Sequence, residues 1–451
     1  MLDVKRIGIL VLTGGIAAAG IMSAQVRTED PRSPIRRVGR FHSGHSLFHS
    51  GPARYSPHKR FAGDQVLVKF KPTATRQSIA GSIQLFDLHV IRELPEVGVF
   101  QIRIPEGSSV EETISVLEKN PYVESVRPNY IARICATPND TYFDFQYALY
   151  NRGQSVGPPG SPQGTSRADI SATTAWEETK GREDIVIAVI DTGVDMLHPD
   201  LLSKISSPGK DYVNQDDDAT DDNGHGTFVS GIIAAETNNN EGIAGVAWNC
   251  KILPVKAMDE NGEGYYSWII EGIIWAVDNG AHVINLSIGG PDHDPALEEA
   301  VRYANQNEVV VVSSAGNDAE PVYYPAAYDE YVLAVAATDY DDSRLSWSNF
   351  GPEVDVAAPG EWVISCMPTW YFGTGSIPYA YGDGTSFSCA YVSGFAALIK
   401  SLKDWMSADD IMDVIRFSAV DVNSSDSAGR DDYLGYGRIN METALAPIKL
   451  K

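Results

Sequence analysis

The chain has 451 residues, 43% of them hydrophobic and 21% charged, with 40 Gly and 25 Pro; this excludes a disordered, collagen-like or coiled-coil protein and predicts two to four domains. The net charge of −25 is uneven, since residues 1–60 hold ten Lys/Arg against three Asp/Glu while residues from 135 onward hold 17 against 48. Such an acidic surface excludes nucleic acid and anionic lipid as partners and suits divalent cations. In chain order, Lys5 and Arg6 precede an apolar run over residues 7–22, followed by Ser23 and Ala24. This is the pattern of a signal peptide over residues 1–24, hence of a secreted protein. The run is short for the competing use, a membrane-spanning helix. Residues 25–60 are rich in Arg, Ser, Pro, Gly and His and read as a disordered basic linker. Its His42, His45, His49 and His58 read as solvated rather than as a metal tract.

Residues 61–134 predict a small α+β domain. A strand over 65–70 precedes a helix over 75–86, and two strand-like runs over 89–104 flank Pro95 and Glu96. Ser109 with Glu112 three residues later is a capping box opening a helix over 109–119. A final strand over 123–133 completes the order βαββαβ, similar to a split βαβ unit.

From 135 to 447 the pattern changes to short, nearly unbroken β-branched runs at 185–190, 252–255, 283–286, 309–313 and 332–336. Helical segments, including 268–278 and 295–305, separate several of them. Continuous apolar strands alternating with helices predict an α/β fold, a parallel β-sheet with helices on both faces. The cysteines Cys135, Cys250, Cys366 and Cys389 are too few for a disulfide framework and lack zinc-type spacing.

Three segments carry candidate chemistry. A buried strand ends in Asp191-Thr-Gly; open α/β sheets place their sites at such ends. His225 lies between two glycines at the start of an apolar helix. A Gly-rich turn delivers Ser386 to the start of a long apolar helix, whose first N–H groups carry partial positive charge. Taken singly, the three have ordinary uses as a turn carboxylate, a structural imidazole and an N-cap. Together they supply a hydroxyl, a base for its proton and a carboxylate to hold the base, which is what nucleophilic acyl transfer needs. A fourth piece, the strand 309–313 ending at Ala315-Gly-Asn317, offers an amide donor for an oxyanion. The order Asp, His, Ser and the absence of Gly-x-Ser-x-Gly exclude an α/β-hydrolase esterase.

These motifs, with Tyr266-Ser-Trp-Ile-Ile, Val283-Ile-Asn-Leu-Ser-Ile-Gly-Gly290, Asp355-Val-Ala-Ala-Pro-Gly360 and Gly435-Tyr-Gly-Arg-Ile-Asn440, run in one order over about 300 residues. The chain thereby resembles the subtilisin-like serine proteases, nearest the subtilisin and thermitase branch. The resemblance implies a serine endopeptidase with Asp191, His225 and Ser386 as its triad and Asn317 as oxyanion donor. It implies that protein or peptide substrates lie as a strand between Gly262-Glu-Gly264 and Ser287-Ile288-Gly289. Tyr266, Ile269 and Ile288 would then line an apolar pocket or, alternatively, pack in the core. Asp318 would stand at the rim of the primary specificity pocket and Tyr323 near its floor. The helix after Ser386 departs from the family, with Phe387-Ser-Cys-Ala-Tyr391 in place of the usual Met-Ala-x-Pro-His; Cys389 reads as packing rather than nucleophile. The complete triad argues against a non-catalytic binding protein on the same fold.

The resemblance also implies a structural calcium ion. Its side-chain ligands would be Asp140, Asp200 and Asn239, and its main-chain ligands Glu236, Glu241 and Ile243, a hard-oxygen set that suits this ion. The acidic loop 211–218 would hold a second ion or be merely solvated. Residues 61–134 would be an inhibitory propeptide assisting folding, removed by self-cleavage between about 130 and 138. The mature enzyme is expected to be a monomer.

Overall fold

A computed structural model describes residues 11–13, 61–105, 107–130, 137–158, 160–373 and 377–445. Most of the expected signal peptide, the linker 25–60 and residues 131–136 of the expected cleavage region 130–138 lie outside the described residues. The chain divides into two compact units, a smaller one within Phe41–Cys135 and a larger one that includes Ala136–Lys451. Val11–Thr13 forms a short strand, β1, assigned to the larger unit.

The smaller unit runs β2 (Phe61–Phe70), α1 (Arg76–Leu85), β3 (His89–Leu94), β4 (Val99–Arg103), α2 (Val110–Leu117) and β5 (Val123–Tyr130). This is the expected βαββαβ order. The sheet order is β3-β4-β2-β5 with every pair antiparallel, so each βαβ unit is split by a strand of the other. Period-two patterning sends Val66, Val68 and Phe70 into the core while Leu67 and Lys69 stay partly exposed. The buried face meets Ile79 and Ile83 of α1 and Val110, Ile114 and Leu117 of α2. Both helices start where side chains satisfy their free N–H groups. Thr75 Oγ1 accepts from Ser78 N–H at 3.1 Å. Ser109 Oγ accepts from Glu112 N–H at 3.1 Å, and Glu112 Oε2 accepts from Ser109 N–H at 3.3 Å, the predicted capping box.

After β1, the larger unit carries a 3-10 turn (Phe143–Phe145) and a short helix α3 (Ala172–Ala175), and then builds its sheet from β6 (Val186–Asp191), β7 (Lys210–Asp211), β8 (Lys251–Lys256), β9 (Val283–Leu286), β10 (Val310–Ser314), β11 (Val332–Thr338) and β12 (Val356–Pro359). Between and after these strands come α4 (His225–Ala234), α5 (Tyr266–Asp278) and α6 (Pro295–Gln306). Two further strands, β13 (Val363–Cys366) and β14 (Tyr379–Asp383), precede α7 (Thr385–Leu402), α8 (Ala408–Ser418) and α9 (Met441–Leu445). The sheet order is β12-β11-β10-β9-β6-β8-β7 and all six pairings are parallel. Alternate residues feed two cores. Ile187 and Val189 of β6 face α4, α7 and α8, whereas Ala188 and Ile190 face α5 and α6. Both faces are therefore covered, which is why the strands read as unbroken apolar runs. The helix α6 shows the local logic: Asp294 accepts from Ala296 and Leu297 N–H, Pro295 occupies the first turn, and Leu297, Ala300, Val301 and Ala304 form its buried stripe. Strands β7, β12, β13 and β14 were not foreseen, being two to five residues long. β13 pairs antiparallel with β14, whose other edge pairs in parallel with β1.

From β6 the chain adds β8 and β7 on one side, then crosses to β9 and grows outward through β12 on the other. The C-terminal ends of β6 and β9 therefore flank the topological switch point, where such sheets bind ligands. Cys250, Cys366 and Cys389 are free and buried. No helix among the described residues is long and apolar enough to cross a membrane.

Candidate active site

Asp191 is the last residue of β6 and is fully buried. Its Oδ1 lies 2.7 Å from His225 Nδ1 and accepts from Thr192 N–H at 2.8 Å. Its Oδ2 is buried without a protein partner. His225 opens α4, and its side chain is 29% exposed, so one edge of the ring faces solvent. Burial opposes the charged imidazole. The charge and hydrogen bond of Asp191, together with the charge of Asp221, outweigh that and raise the His225 pKa above its ordinary value. With Nδ1–H turned to the carboxylate, Nε2 is left as the basic nitrogen.

Ser386 lies in the first turn of α7, a helix buried at all but one of its 18 positions. The Ser386 hydroxyl donates to Ser287 O at 3.0 Å, and the Ser287 hydroxyl donates back to Ser386 O at 2.8 Å. This reciprocal pair locks Ser386 to the end of β9. No hydrogen bond joins Ser386 to His225 among the described residues; such bonds often tighten only with substrate. The ring of Phe387 lies 6.1 Å from that of His225 and 4.3 Å from that of Phe228. The position that the resembled family fills with methionine thus holds an aromatic that packs against His225. Cys389 is fully buried, burial pushes its thiol up to about 12, and it donates to Asn285 Oδ1 at 3.3 Å. It is a packing residue, as expected.

Asn317 follows β10. Its Oδ1 accepts from the Thr385 N–H and from the Thr385 hydroxyl, each at 2.9 Å. That pairing fixes the amide orientation. Nδ2 is turned toward Gly384, beside the Ser386 N–H, which has no acceptor within the helix at this position. Two N–H donors thus converge at the start of α7, an arrangement able to hold a developing oxyanion.

The substrate-side residues are placed as follows. Gly262 has φ +75° in a turn closed by its N–H to Asp259 O. A Cβ on Gly264 would stand 2.3 Å from Ala257 O, and one on Gly289 2.8 Å from Tyr324 O, so both glycines answer to close backbone approaches within the protein. Ser287 is buried. Ile269 and Ile288 are core residues, whereas Tyr266 is half-buried and donates to Asp292 O at 3.0 Å. Both isoleucines belong to the buried cluster that includes α5 and α6. The Tyr323 hydroxyl donates to Asp318 Oδ2 at 2.9 Å, so the two residues expected at the specificity pocket engage each other.

The three segments expected at calcium converge. Asp140 accepts from Asn238 N–H with both oxygens, at 3.0 and 2.9 Å. Asp200 Oδ2 accepts from Ile243 N–H and the Tyr379 hydroxyl, and its Oδ1 from Asn239 Nδ2. Asn239 Oδ1 accepts from Glu241 N–H, and Glu236 N–H donates to Asp200 O. Burial pushes Asp200 up to about 6 against those three hydrogen bonds, with the charge of Asp140 adding to the rise. Burial likewise raises Asp140. Two buried carboxylates, one raised by the charge of the other, fit a hard cation. Among the described residues no cluster of three or more His, Cys, Asp or Glu forms a metal site, so amide and main-chain oxygens would have to complete this one. In the acidic loop, Asp211 accepts from Val213 and Asn214, Asp216 from Asp218, Asp218 from Thr220, and Asp217 from Lys210. Those carboxylates serve turns and an ion pair.

Sequence reasoning gave no role to four polar residues that build this site. Thr385 orients Asn317; Asn285 joins Ser287, Cys389 and Ser393 beneath α7. Thr192 and Asp221 link β6 to α4. All four lie inside or beside the quoted motifs, but only the fold reveals their partners.

Residues 182–437 match the subtilase family, and residues 50–129 match the fervidolysin N-terminal prodomain. The chain is similar to the thermophilic serine proteinase of Bacillus sp. (strain AK1), with 40% identity over 383 residues, 84% of this chain and 87% of that one. It is similar to thermitase of Thermoactinomyces vulgaris, with 38% identity over 310 residues, 68% of this chain and 99% of that one. A solved protease structure from Pseudoalteromonas arctica PAMC 21717 aligns at a TM-score of 0.59 and 31% identity, covering 69% of this chain and 99% of that one.

Proposed function

The chain belongs to the subtilase family of serine endopeptidases, and from that premise we propose that Ser386, His225 and Asp191 cleave peptide bonds in a secreted, calcium-stabilised enzyme made as a self-processing zymogen. The observation that carries the catalytic reading is the 2.7 Å contact of Asp191 with His225 at the switch point, beside a helix that presents Ser386.

On this reading a peptide lies along Gly262-Glu-Gly264 and Ser287-Ile-Gly289, bound through its backbone. The Ser386 hydroxyl turns from Ser287 O, gives its proton to His225 Nε2 and attacks the carbonyl carbon. The oxyanion is held by Asn317 Nδ2 and the Ser386 N–H. Imidazolium, oriented and stabilised by Asp191, gives the proton to the leaving amine. Water, deprotonated by the same nitrogen, then releases the acyl group and restores Ser386.

Calcium would be held by the side chains of Asp140, Asp200 and Asn239 and by main-chain oxygens of Glu236, Glu241 and Ile243. It would supply a cross-link and take no part in the reaction. The prodomain match supports an intramolecular inhibitor that the enzyme removes itself. Lys5, Arg6 and the apolar run after them support secretion. The mature enzyme would be a monomer acting on protein or peptide substrates, without nucleic acid.

The test is expression of the whole precursor in a protease-free host, with intact masses of wild type and Ser386→Ala. The wild type is expected to shorten by the prodomain. The variant, about six decades slower by analogy with measured triad knock-outs, should stay full length after signal removal. A variant that matures normally rules out self-processing.

A further inference from the structure

Asp221 stands four residues before His225 and is 1% exposed. Its carboxylate accepts five hydrogen bonds. Oδ1 takes the Thr192 hydroxyl at 2.8 Å, Asn223 N–H at 3.0 Å and Gly224 N–H at 2.8 Å. Oδ2 takes Thr227 N–H at 3.0 Å and the Thr227 hydroxyl at 2.5 Å. A carboxyl group that only accepts is ionised. Among the described residues it has no ion-pair partner: Lys256, the buried cation nearby in the sheet, gives its proton donors to Asp222 Oδ1 and to the carbonyls of Thr192 and Met258. A buried carboxylate without a counter-ion is costly, and neutral hydrogen bonds offset that cost only in part.

Those donors come from every segment that sets the geometry of the base. Thr192 is the residue after Asp191, and its hydroxyl oxygen also accepts from Gly226 N–H at 2.9 Å. Asn223 and Gly224 are the two residues before His225, and Thr227 lies in the first turn of α4. One side chain therefore ties the end of β6 to both flanks of His225.

We propose that Asp221 is a positioning residue of the catalytic base: it clasps the start of α4 to the residue after Asp191, and its unpaired charge stabilises the imidazolium of His225. The charged groups that face His225 are Asp191 from β6 and Asp221 from the loop before α4. From α7 the neighbour is the uncharged ring of Phe387, and from β8 Lys256 is turned to Asp222. Removing the Asp221 charge lowers the His225 pKa. The acid limb of kcat/KM, which reports the base losing its proton, then moves to lower pH, while the transition state loses support for the cation that forms.

The proposal rests on the triad reading above, and the experiment separates the two. Wild type, Ser386→Ala, Asp221→Asn and Thr192→Val are assayed on one chromogenic peptide across pH, with a thermal melt for each. For Asp221→Asn the expected result is an acid limb displaced downward by about half a pH unit or more, with kcat about tenfold lower and KM little changed. Thr192→Val keeps the charge but cuts the bridge, so its acid limb should stay in place while kcat falls. A purely structural Asp221 would lower the melting temperature of Asp221→Asn and leave its acid limb where the wild type has it; that outcome overturns the proposal. Should Asp221→Asn not fold, Thr192→Val carries the test alone, and an unchanged kcat overturns the clasp. A wild type without activity that Ser386→Ala abolishes would instead remove the triad reading.

Discussion

The small antiparallel unit and the large parallel unit differ in what their polar bonds join. In the small unit they cap helices, Ser109 with Glu112 and Thr75 with Ser78 each across three residues, or tie side chains of its sheet and helices together, as Asn129 to Gln65 across 64. In the large unit they join distant segments: Asp191 to His225 across 34 residues, Asp140 to Asn238 across 98 and Ser287 to Ser386 across 99. Local bonds start helices. Long-range bonds bring chemistry to the ends of β6 and β9, where a two-sided sheet leaves its strand ends free. The residues expected to do the chemistry are therefore held by contacts of high sequence separation, and breaking those should cost more than breaking a cap.

The largest test of that contrast concerns the convergence of Asp140, Asp200 and the 236–243 loop. EDTA should shorten the lifetime of the mature enzyme at elevated temperature, and Asp200→Ala should do so without EDTA. A cation bound only by the folded state adds about 4 kcal/mol at a thousandfold excess over its Kd. Inactivation half-lives against free calcium decide it; equal, calcium-independent half-lives for both proteins would remove the site. A calcium response surviving Asp200→Ala would point to the loop 211–218.

Next comes Asn317→Ala. Loss of an oxyanion donor should lower turnover by about 10²–10³, or about 2.7–4 kcal/mol as measured for subtilisin, with little change in KM. Turnover and melting temperature on one preparation settle the point: a normal kcat with a lowered Tm would make Asn317 structural. In the small unit, Ser109→Ala should cost about 1 kcal/mol, seen as faster amide exchange over residues 110–117 of the precursor. A loss as large as the Asn317 effect would break the contrast between local and distant contacts.

The smallest effect has the opposite sign. Burial, with the charges of Asp383 and Asp339, pushes Glu361 up to about 7 from 4.5. A carboxyl whose folded pKa lies above its unfolded one makes the folded state bind more protons between those values, so stability falls as pH rises from about 4.5 to about 7. Glu361→Gln should therefore raise Tm by roughly 1–2 °C at pH 8, a gain kept small by solvent screening. The gain should vanish below pH 4.5; melts at the two pH values that show no difference would refute it.

The legibility of the sequence follows the same division. The capping box, the βαββαβ order and the apolar strands at 186–191 and 283–286 could be read because each is encoded within a few neighbouring residues. Strands β7 and β12 could not: β7 is only two residues long, and β12, Val-Ala-Ala-Pro, lacks the β-branched run that marks 283–286 and ends in proline. Asp191, His225, Asn317 and Ser386 stand out in the sequence by motif and order, not by periodicity. Thr385, Asn285 and Asp221 escaped because a Thr, Asn or Asp in a loop or strand end has many uses, and its partner is chosen by tertiary folding. Ile269 and Ile288 show the reverse problem: apolar side chains near a binding segment read equally as pocket or core until burial is known.

The three free, buried thiols carry a practical consequence. Cys250, Cys366 and Cys389 are each 0% exposed, and burial raises the pKa of each above the ordinary thiol value. Reducing agents have no bond to break among them, and alkylating reagents, which need an exposed thiolate, cannot reach them in the closed protein. Each therefore works as an intrinsic clock. Cys366 sits on β13, Cys389 on α7 and Cys250 just before β8, so the order in which an alkylating reagent modifies them on warming or chelation dates the opening of three different parts of the larger unit without an engineered label.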